Sequence, residues 1–194
     1  MKWSILIPSM PDRREHRRRV LMILEPQLKK YDDIELLILE DNCKRDYGHK
    51  LQSMIDIAQG EYVSFIDDDD LISENYVDRI YSHLDGVVDC IGFSGHISIN
   101  DGPIMPVFYS MENKIPENRF DGYYRFIQHV NPIKKSIVEQ VPYDGHFGAD
   151  TEWSDKVSEL NLITLETYIP EVMYMYLAST IENREVWNDE IDVI

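Results

Sequence analysis

Short apolar runs alternate with longer amphipathic segments through the first 84 residues, and this alternation constrains the fold more than any other feature. The apolar runs predict three strands, at residues 4–8, 34–39 and 61–66. The amphipathic segments predict three helices, at residues 13–30, 50–59 and 73–84. Strands that are apolar throughout and alternate with helices are typical of a parallel sheet covered on both faces. The sequence therefore predicts an α/β fold.

Four consecutive aspartates, Asp67 to Asp70, follow the third predicted strand. Carboxylates this close repel one another unless a cation neutralises them. Right-handed crossovers bring the ends of parallel strands to one edge, so these aspartates are expected beside Pro8, Ser9 and Asp41. Magnesium and manganese are typically held by one or two carboxylates plus substrate phosphates. We therefore predict a divalent-cation site for a phosphate-bearing substrate; the alternative is a solvated acidic turn that caps the next helix.

The second half of the chain predicts a more mixed structure. Strands are expected at 89–99 and 104–110, a helix at 150–160, and late strands at 163–168 and 172–176. A loop is expected over the polar segment between Asn113 and Gly122. We found no internal repeat or linker and predict one domain over residues 1–194. It divides into a nucleotide-binding half (1–100) and an acceptor-binding half (101–194).

Charge and composition narrow the range of partners. The formal net charge is -17, which disfavours nucleic acid and anionic membrane surfaces. One cluster reverses the sign locally and consists of Arg13, Arg14, Arg17, Arg18 and Arg19. No apolar run approaches the ~20 residues of a membrane-spanning helix, and no secretory signal is recognisable. Cys43 and Cys90 are far apart and are expected to be reduced thiols, which favours a cytoplasmic location.

Several segments, in this order along the chain, resemble family 2 glycosyltransferases of the GT-A fold. The donor-side segments are 4–9, 37–42 and 60–70; the acceptor-side segments are 129–135 and 147–153; Met173 to Tyr176 with Ser179 and Thr180 are similar to the C-terminal strand. The resemblance implies a Rossmann-like domain with a mostly parallel central sheet flanked by helices and a smaller mixed acceptor-side region. It also implies inverting transfer of a sugar from a nucleotide diphosphate to an acceptor hydroxyl, with Mn²⁺ or Mg²⁺ as cofactor.

On the donor side the resemblance implies Asp69 as the direct metal ligand and Asp67 as a second candidate ligand. The nucleotide-binding candidates are Pro8, Ser9, Arg13, Asp41, Lys50, Asp67 and Asp68. Asp41 matches the family's base-recognising acid, and a carboxylate that accepts uracil N3–H favours UDP. Two simpler readings stay open, because Asp41 also suits a turn and Asp70 also suits a helix cap. The family's Arg–Asn pair after the lysine is replaced here by Leu51 and Gln52.

On the acceptor side the resemblance implies Asp150 as the catalytic base. An inverting displacement needs a carboxylate that removes the proton of the attacking hydroxyl. The acid that precedes this aspartate in the family is replaced by Ala149, and Glu152 is the second candidate base. Helix capping is the alternative role for Asp150. His129 and His146 are secondary candidates for contact with the pyrophosphate or the acceptor.

Two other functions are compatible with these motifs. A nucleotidyltransferase acting on a sugar phosphate would use a related scaffold, but the turn after the first strand, Pro8 to Pro11, lacks the glycines typical of those enzymes. A non-catalytic metal- or carbohydrate-binding domain would bind without turnover. The expected partners of a transferase are a UDP-sugar and a glycan or other hydroxyl acceptor.

Overall fold

One twisted sheet runs through both halves of the chain. The computed structural model describes residues 1–145 and 148–178, and ten strands lie within that part. They are β1 (Trp3–Ser9), β2 (Ile34–Glu40), β3 (Tyr62–Phe65), β4 (Leu71–Ile72), β5 (Cys90–Ile99), β6 (Met105–Tyr109), β7 (Glu117–Arg119), β8 (Gly122–Arg125), β9 (Ile133–Lys134) and β10 (Glu166–Ala178). The candidate His146 and the Ser179–Thr180 pair lie outside the described residues.

Five helices accompany the sheet within the same residues. They are α1 (Arg14–Leu28), α2 (Tyr47–Ile57), α3 (Tyr76–Tyr81), α4 (Lys135–Val138) and α5 (Ala149–Glu159). A 3₁₀ turn over Pro11–Arg13 joins β1 to α1. None of the described helices combines the length and the apolar character that crossing a lipid bilayer requires.

The sheet order separates a parallel region from a mixed one. Along the main path the order is β2-β1-β3-β9-β5-β6-β8-β7, and β10 pairs with β5 and β4. Strand β1 runs parallel to both β2 and β3, as the sequence predicts for its first three strands. Strand β9 is antiparallel to β3 and β5, and β6 is antiparallel to β5. The predicted mostly parallel sheet with a smaller mixed region is confirmed.

Strand β1 shows why both faces of the sheet are covered. All seven of its residues are buried, with alternate side chains pointing to opposite faces. Trp3, Ile5 and Ile7 pack in a core that includes residues of α1 and α3. Leu6 packs in a second core that includes residues of α2 and α5. This arrangement leaves the ends of the strands, rather than their faces, as the place for a ligand site.

The second half differs from the sequence-based expectation in two places. The expected loop between Asn113 and Gly122 contains strand β7, which pairs with β8 to form a short hairpin. The two expected late strands are one strand, β10, whose pairing with β5 shifts register between Ile169 and Val172 and again before Tyr174. These irregularities interrupt the alternation that would have marked a single strand.

Candidate functional site

The carboxyl ends of β1, β2 and β3 meet at one edge of the sheet. Ser9 pairs with Glu40 in the parallel register of β1 and β2, and the Asp67 to Asp70 run leaves β3 beside them. The backbone N–H of Ile66 donates to Leu6 at 2.9 Å, which keeps β3 aligned with β1 up to the first aspartate. The structure thus brings together the three strand ends that the sequence places at a common rim.

Ser9 joins the nucleotide-side candidates. Its hydroxyl donates to Asp68 Oδ2 at 2.7 Å and accepts a hydrogen bond from Arg17 Nη1 at 2.7 Å. Its backbone carbonyl accepts from Lys50 Nζ at 3.0 Å, and the same ammonium lies 2.7 Å from Asp41 Oδ1. A continuous chain of contacts therefore runs from Asp41 to the aspartate run. Pro8, one residue earlier, is buried in β1.

Arg13 lies on the outer side of the aspartate run. Its Nη1 is 3.2 Å from Asp68 Oδ1 and 2.9 Å from Asp69 Oδ2. Burial raises the pKa of Asp69, an effect that Arg13 opposes and that Asp67 and Asp68 reinforce. The Asp69 side chain is 34% exposed, whereas that of Asp68 is 2% exposed. Asp69 is thus the more accessible of these two carboxylates to a ligand from solvent.

The side chains at the rim fit a divalent cation only in part. Among residues 1–145 and 148–178, no three His, Cys, Asp or Glu side chains converge into a complete metal shell. Magnesium, however, commonly takes one or two protein carboxylates and completes its shell with phosphate oxygens and water. The accessible carboxylate of Asp69 meets that requirement. The residues fit a cation that shares its ligands with a bound diphosphate.

Asp67 points inward, toward the second half of the chain. Its Oδ1 accepts from the Tyr47 hydroxyl at 3.1 Å, and its Oδ2 lies 3.1 Å from His129 Nε2. Burial alone would raise the pKa of Asp67, but His129 and Tyr47 together hold it below the usual value. The carboxylate is therefore stabilised in its charged form by protein groups. Its role as a metal ligand stays a prediction.

His129 connects the aspartate run to Asp150. Its Nδ1 lies 3.6 Å from Asp150 Oδ2, and its side chain is 7% exposed. Burial would lower the pKa of His129, but Asp67 and Asp150 outweigh it and raise the pKa to about 9. The backbone carbonyl of His129 accepts from the N–H of Phe65 at 2.9 Å, which ties this segment to the end of β3. The imidazolium thus neutralises two carboxylates that come from different halves of the chain.

Asp150 lies in the first turn of α5 rather than at its cap. Gly148 is the N-cap residue and has φ of 89°, a left-handed conformation that favours glycine. The Asp150 side chain is 26% exposed, so solvent reaches it. A carboxylate in this first turn is favoured by the helix dipole. The capping position is therefore filled by another residue, and the carboxylate faces His129.

Asp70 anchors strand β10 and does not cap a helix. Its Oδ2 accepts from the Tyr174 hydroxyl at 2.7 Å, and its Oδ1 accepts from the Leu177 N–H at 2.8 Å. The next helix, α3, begins six residues later at Tyr76, beyond the reach of a cap from Asp70. Burial, reinforced by Asp67 and Asp69, raises the pKa of Asp70 well above its usual value.

Three contacting residues were missed by the sequence analysis. Arg17 was counted with the basic cluster, yet it donates to Ser9 and lies 2.5 Å from Glu40 Oε2. Tyr47 belongs to none of the motifs, and Tyr174 lies in the segment 173–176 but has no role assigned from the sequence; both hydroxyls bind the aspartate run. The runner-up base Glu152 is exposed on α5.

Replacing Tyr174 by phenylalanine tests the anchor at Asp70. The Tyr174 hydroxyl also accepts from the backbone N–H of Asp67 at 3.1 Å, so one deletion removes a hydrogen bond from each of two groups, the buried Asp70 carboxyl and the partly buried Asp67 N–H. We expect Tyr174→Phe to lower the free energy of unfolding by about 1–3 kcal/mol. Urea unfolding followed by circular dichroism measures this. Tyr168→Phe is the control, because its hydroxyl contacts Ser94 away from the rim. Equal losses in both variants would contradict the anchoring role.

Comparisons with known proteins identify the fold. No family model and no curated protein matches the chain. Among solved structures, Staphylococcus aureus TarS 1–349 matches with a TM-score of 0.63 at 12% identity, covering 91% of this chain and 60% of that one. The same protein in complex with UDP-GlcNAc matches with a TM-score of 0.56 at 12% identity, covering 91% of this chain and 58% of that one.

A second protein with this fold contains a metal. Mycobacterium tuberculosis glucosyl-3-phosphoglycerate synthase, in complex with Mn²⁺, UDP-glucose and phosphoglyceric acid, matches with a TM-score of 0.59 at 11% identity. The match covers 98% of this chain and 77% of that one. At such identities the likeness establishes the fold, and the GT-A fold class expected from the sequence is confirmed. The chain spans about 60% of the TarS 1–349 structure.

Proposed function

We propose that this protein is a metal-dependent, inverting glycosyltransferase that moves a sugar from a nucleotide diphosphate, UDP-sugar in particular, to an acceptor hydroxyl. One observation carries the proposal. Side-chain contacts link Asp41 through Lys50 and Ser9 to Asp68, and the adjacent Asp67 continues through His129 to Asp150. A base-recognition candidate, a cation candidate and a general-base candidate therefore share one rim.

The nucleotide would lie across the ends of the first two strands. Asp41 offers an acceptor for uracil N3–H, and the Lys50 ammonium lies 2.7 Å from its Oδ1. Ser9 and Pro8 would line the base and ribose from the end of β1. Arg13 and Lys50 supply positive charge for the diphosphate in a chain whose net charge is -17. These local cations make an anionic donor compatible with an acidic protein.

Asp69 would hold the divalent cation, with Asp67 as the alternative ligand. When bound, Mn²⁺ or Mg²⁺ would neutralise charge on the departing diphosphate. The protein's own contribution is to keep the aspartate run fixed: Asp68 is held by Ser9 and Asp70 by Tyr174. Arg13 and Asp69, whose side chains are about a third exposed, are then the groups that can rearrange around a ligand.

Asp150 would act as the general base. It would take the proton of the acceptor hydroxyl while that oxygen forms a bond to the anomeric carbon. The bond from that carbon to the diphosphate oxygen breaks, and the electron pair leaves with the nucleoside diphosphate. The solvent-accessible position of Asp150 lets an acceptor approach it. The imidazole of His129, whose Nδ1 lies 3.6 Å from Asp150 Oδ2, links this carboxylate to the aspartate run.

The related folds support the choice of donor, metal and chain organisation. One was crystallised with UDP-GlcNAc, and another with Mn²⁺ and UDP-glucose. For this chain we therefore propose UDP as the nucleotide and Mn²⁺ or Mg²⁺ as the cofactor. We also propose a single domain over residues 1–194, because one sheet continues from the donor half into the acceptor half.

Thermal unfolding in the presence of nucleotides tests the donor class. We expect UDP with Mn²⁺ at about 100 times Kd to raise Tm by roughly 5–10 °C. Asp69→Asn should lose the metal-dependent part of this shift, because an amide is a weaker ligand than a carboxylate. Asp155→Asn, at an exposed position on α5, removes the same charge and should behave as wild type.

Incubation with substrates then distinguishes the alternatives. We expect UDP to be released from a UDP-sugar, and no reaction between UTP and a sugar phosphate. The absence of any nucleotide-dependent shift with either metal would contradict the proposal. Consumption of UTP would identify a nucleotidyltransferase, and glycan binding without UDP release would identify a binding module.

A further inference from the structure

Arg13 contacts the aspartates to which the proposed function assigns the cation, and the same arginine is a proposed contact of the diphosphate. Its Nη1 contacts Asp68 Oδ1 at 3.2 Å and Asp69 Oδ2 at 2.9 Å. In the described part of the chain it is the only basic side chain within ion-pair distance of these two aspartates. Arg17 is engaged by Ser9 and Glu40. One guanidinium therefore neutralises the carboxylate that the proposed function gives to the cation.

A guanidinium and a dication cannot both be favourable neighbours of Asp69. Like charges at ion-pair distance repel, and water screens this repulsion only in part at a rim. The two residues differ in how freely they can move. Asp68 stays fixed by Ser9, whereas the Arg13 side chain is 36% exposed and long enough to swing toward a ligand. An incoming diphosphate is a better partner for the guanidinium than a single carboxylate, because it offers bidentate oxygens and more charge.

We propose that Arg13 exchanges ion-pair partners when the donor binds. In the free protein it neutralises Asp68 and Asp69; in the complex it binds the diphosphate and leaves Asp69 to the cation. This inference rests on the proposed function and specifies the order of events at its site. It follows that the cation binds weakly before the nucleotide and that each ligand strengthens the binding of the other.

Titration with Mn²⁺ alone tests the competition. Free Mn²⁺ is measured by electron paramagnetic resonance for wild type, Arg13→Gln and Arg14→Gln. Arg14 is exposed at the start of α1, so its replacement removes the same net charge at the adjacent position. We expect Arg13→Gln to bind Mn²⁺ about five- to tenfold more tightly than Arg14→Gln, the effect of removing one partly exposed competing charge. Equal or weaker Mn²⁺ binding by Arg13→Gln would overturn the proposal.

A second titration, with UDP present, tests the exchange itself. Saturating UDP should tighten Mn²⁺ binding by wild type, and this gain should be several-fold smaller in Arg13→Gln. If UDP does not bind wild type with Mn²⁺, the proposed function fails. If UDP binds and the gain is unchanged in Arg13→Gln, only the exchange fails. Should Arg13→Gln not fold, Arg13→Met decides, because methionine also removes the charge and keeps an unbranched side chain. Its Mn²⁺ affinity should then exceed that of Arg14→Gln, and equal or weaker binding would overturn the proposal.

Discussion

Replacing Asp150 by asparagine should lower the rate of UDP-sugar cleavage about 10²- to 10⁴-fold while UDP binding stays within about twofold of wild type. The amide cannot accept the proton of the attacking hydroxyl, whereas the donor contacts around Asp41 and Asp69 are left in place. Water serves as the acceptor hydroxyl in this assay, so UDP release can be measured without the natural acceptor. Thermal-shift titration with UDP and Mn²⁺ reports donor binding separately.

Glu152→Gln is the matched control for this experiment. The two carboxylates lie in the first turn of the same helix, but Glu152 is exposed and Asp150 faces His129. We expect Glu152→Gln to retain the wild-type rate within a few-fold. The reverse pattern, with Glu152→Gln inactive and Asp150→Asn active, would transfer the role of base to Glu152. Full activity in both variants would remove a carboxylate base from the mechanism.

The stability of the metal-free protein should fall by about 3 kcal/mol between pH 6.5 and pH 9.5. His129 has its pKa raised from 6.5 to about 9 in the folded state by Asp67, Asp150 and Asp70. A group with a raised folded pKa stabilises the native state fully below its unfolded pKa and loses that contribution as the pH rises through the folded value. A shift of this size corresponds to about 3 kcal/mol at 1.36 kcal/mol per unit.

His129→Gln supplies the comparison for this pH dependence. The variant keeps a polar side chain at the position but cannot gain a proton. Urea unfolding of both proteins over the pH range, without divalent cations, gives the two stabilities, and their difference isolates His129 from all other titrating groups. We expect this difference to shrink steadily toward pH 9.5. A constant difference across the range would show that the imidazolium between Asp67 and Asp150 does not stabilise the fold.

Local sequence patterns were sufficient to predict the first three strands of the chain. Strands β1 and β3 are short apolar runs buried on both faces, and β2 is a partly exposed apolar run at the edge of the sheet. Such runs can be recognised without knowing their partners. Crossover handedness then places their ends together, so the approach of Ser9 to Asp68 follows from topology. The mixed region of the sheet was harder to predict from the sequence, because the pairing of β10 with β5 is irregular and the β7–β8 hairpin is polar and short.

Most contacts of the aspartate run could not be read from local patterns. Tyr47, His129 and Tyr174 reach it from separate elements, and no periodicity or spacing in the sequence marks a hydroxyl or imidazole for that purpose. Arg17 belongs to a cluster of five arginines, and its contacts with Ser9 and Glu40 distinguish it from its neighbours only in the folded chain. The sequence thus identified the charged groups, whereas the side chains that hold them in place required the folded chain.

The bond between Asp70 and Tyr174 joins residues 104 positions apart. When the ribosome has synthesised the aspartate run, strand β10, which supplies the hydrogen-bond donors for Asp70, has not yet been made. Until then the Asp70 carboxylate has neither the Tyr174 hydroxyl nor the Leu177 N–H as a partner. Contacts so distant in sequence close late and slowly. The rim around the aspartate run should therefore be among the last regions of the nascent protein to become ordered, after strands β1, β2 and β3 have paired.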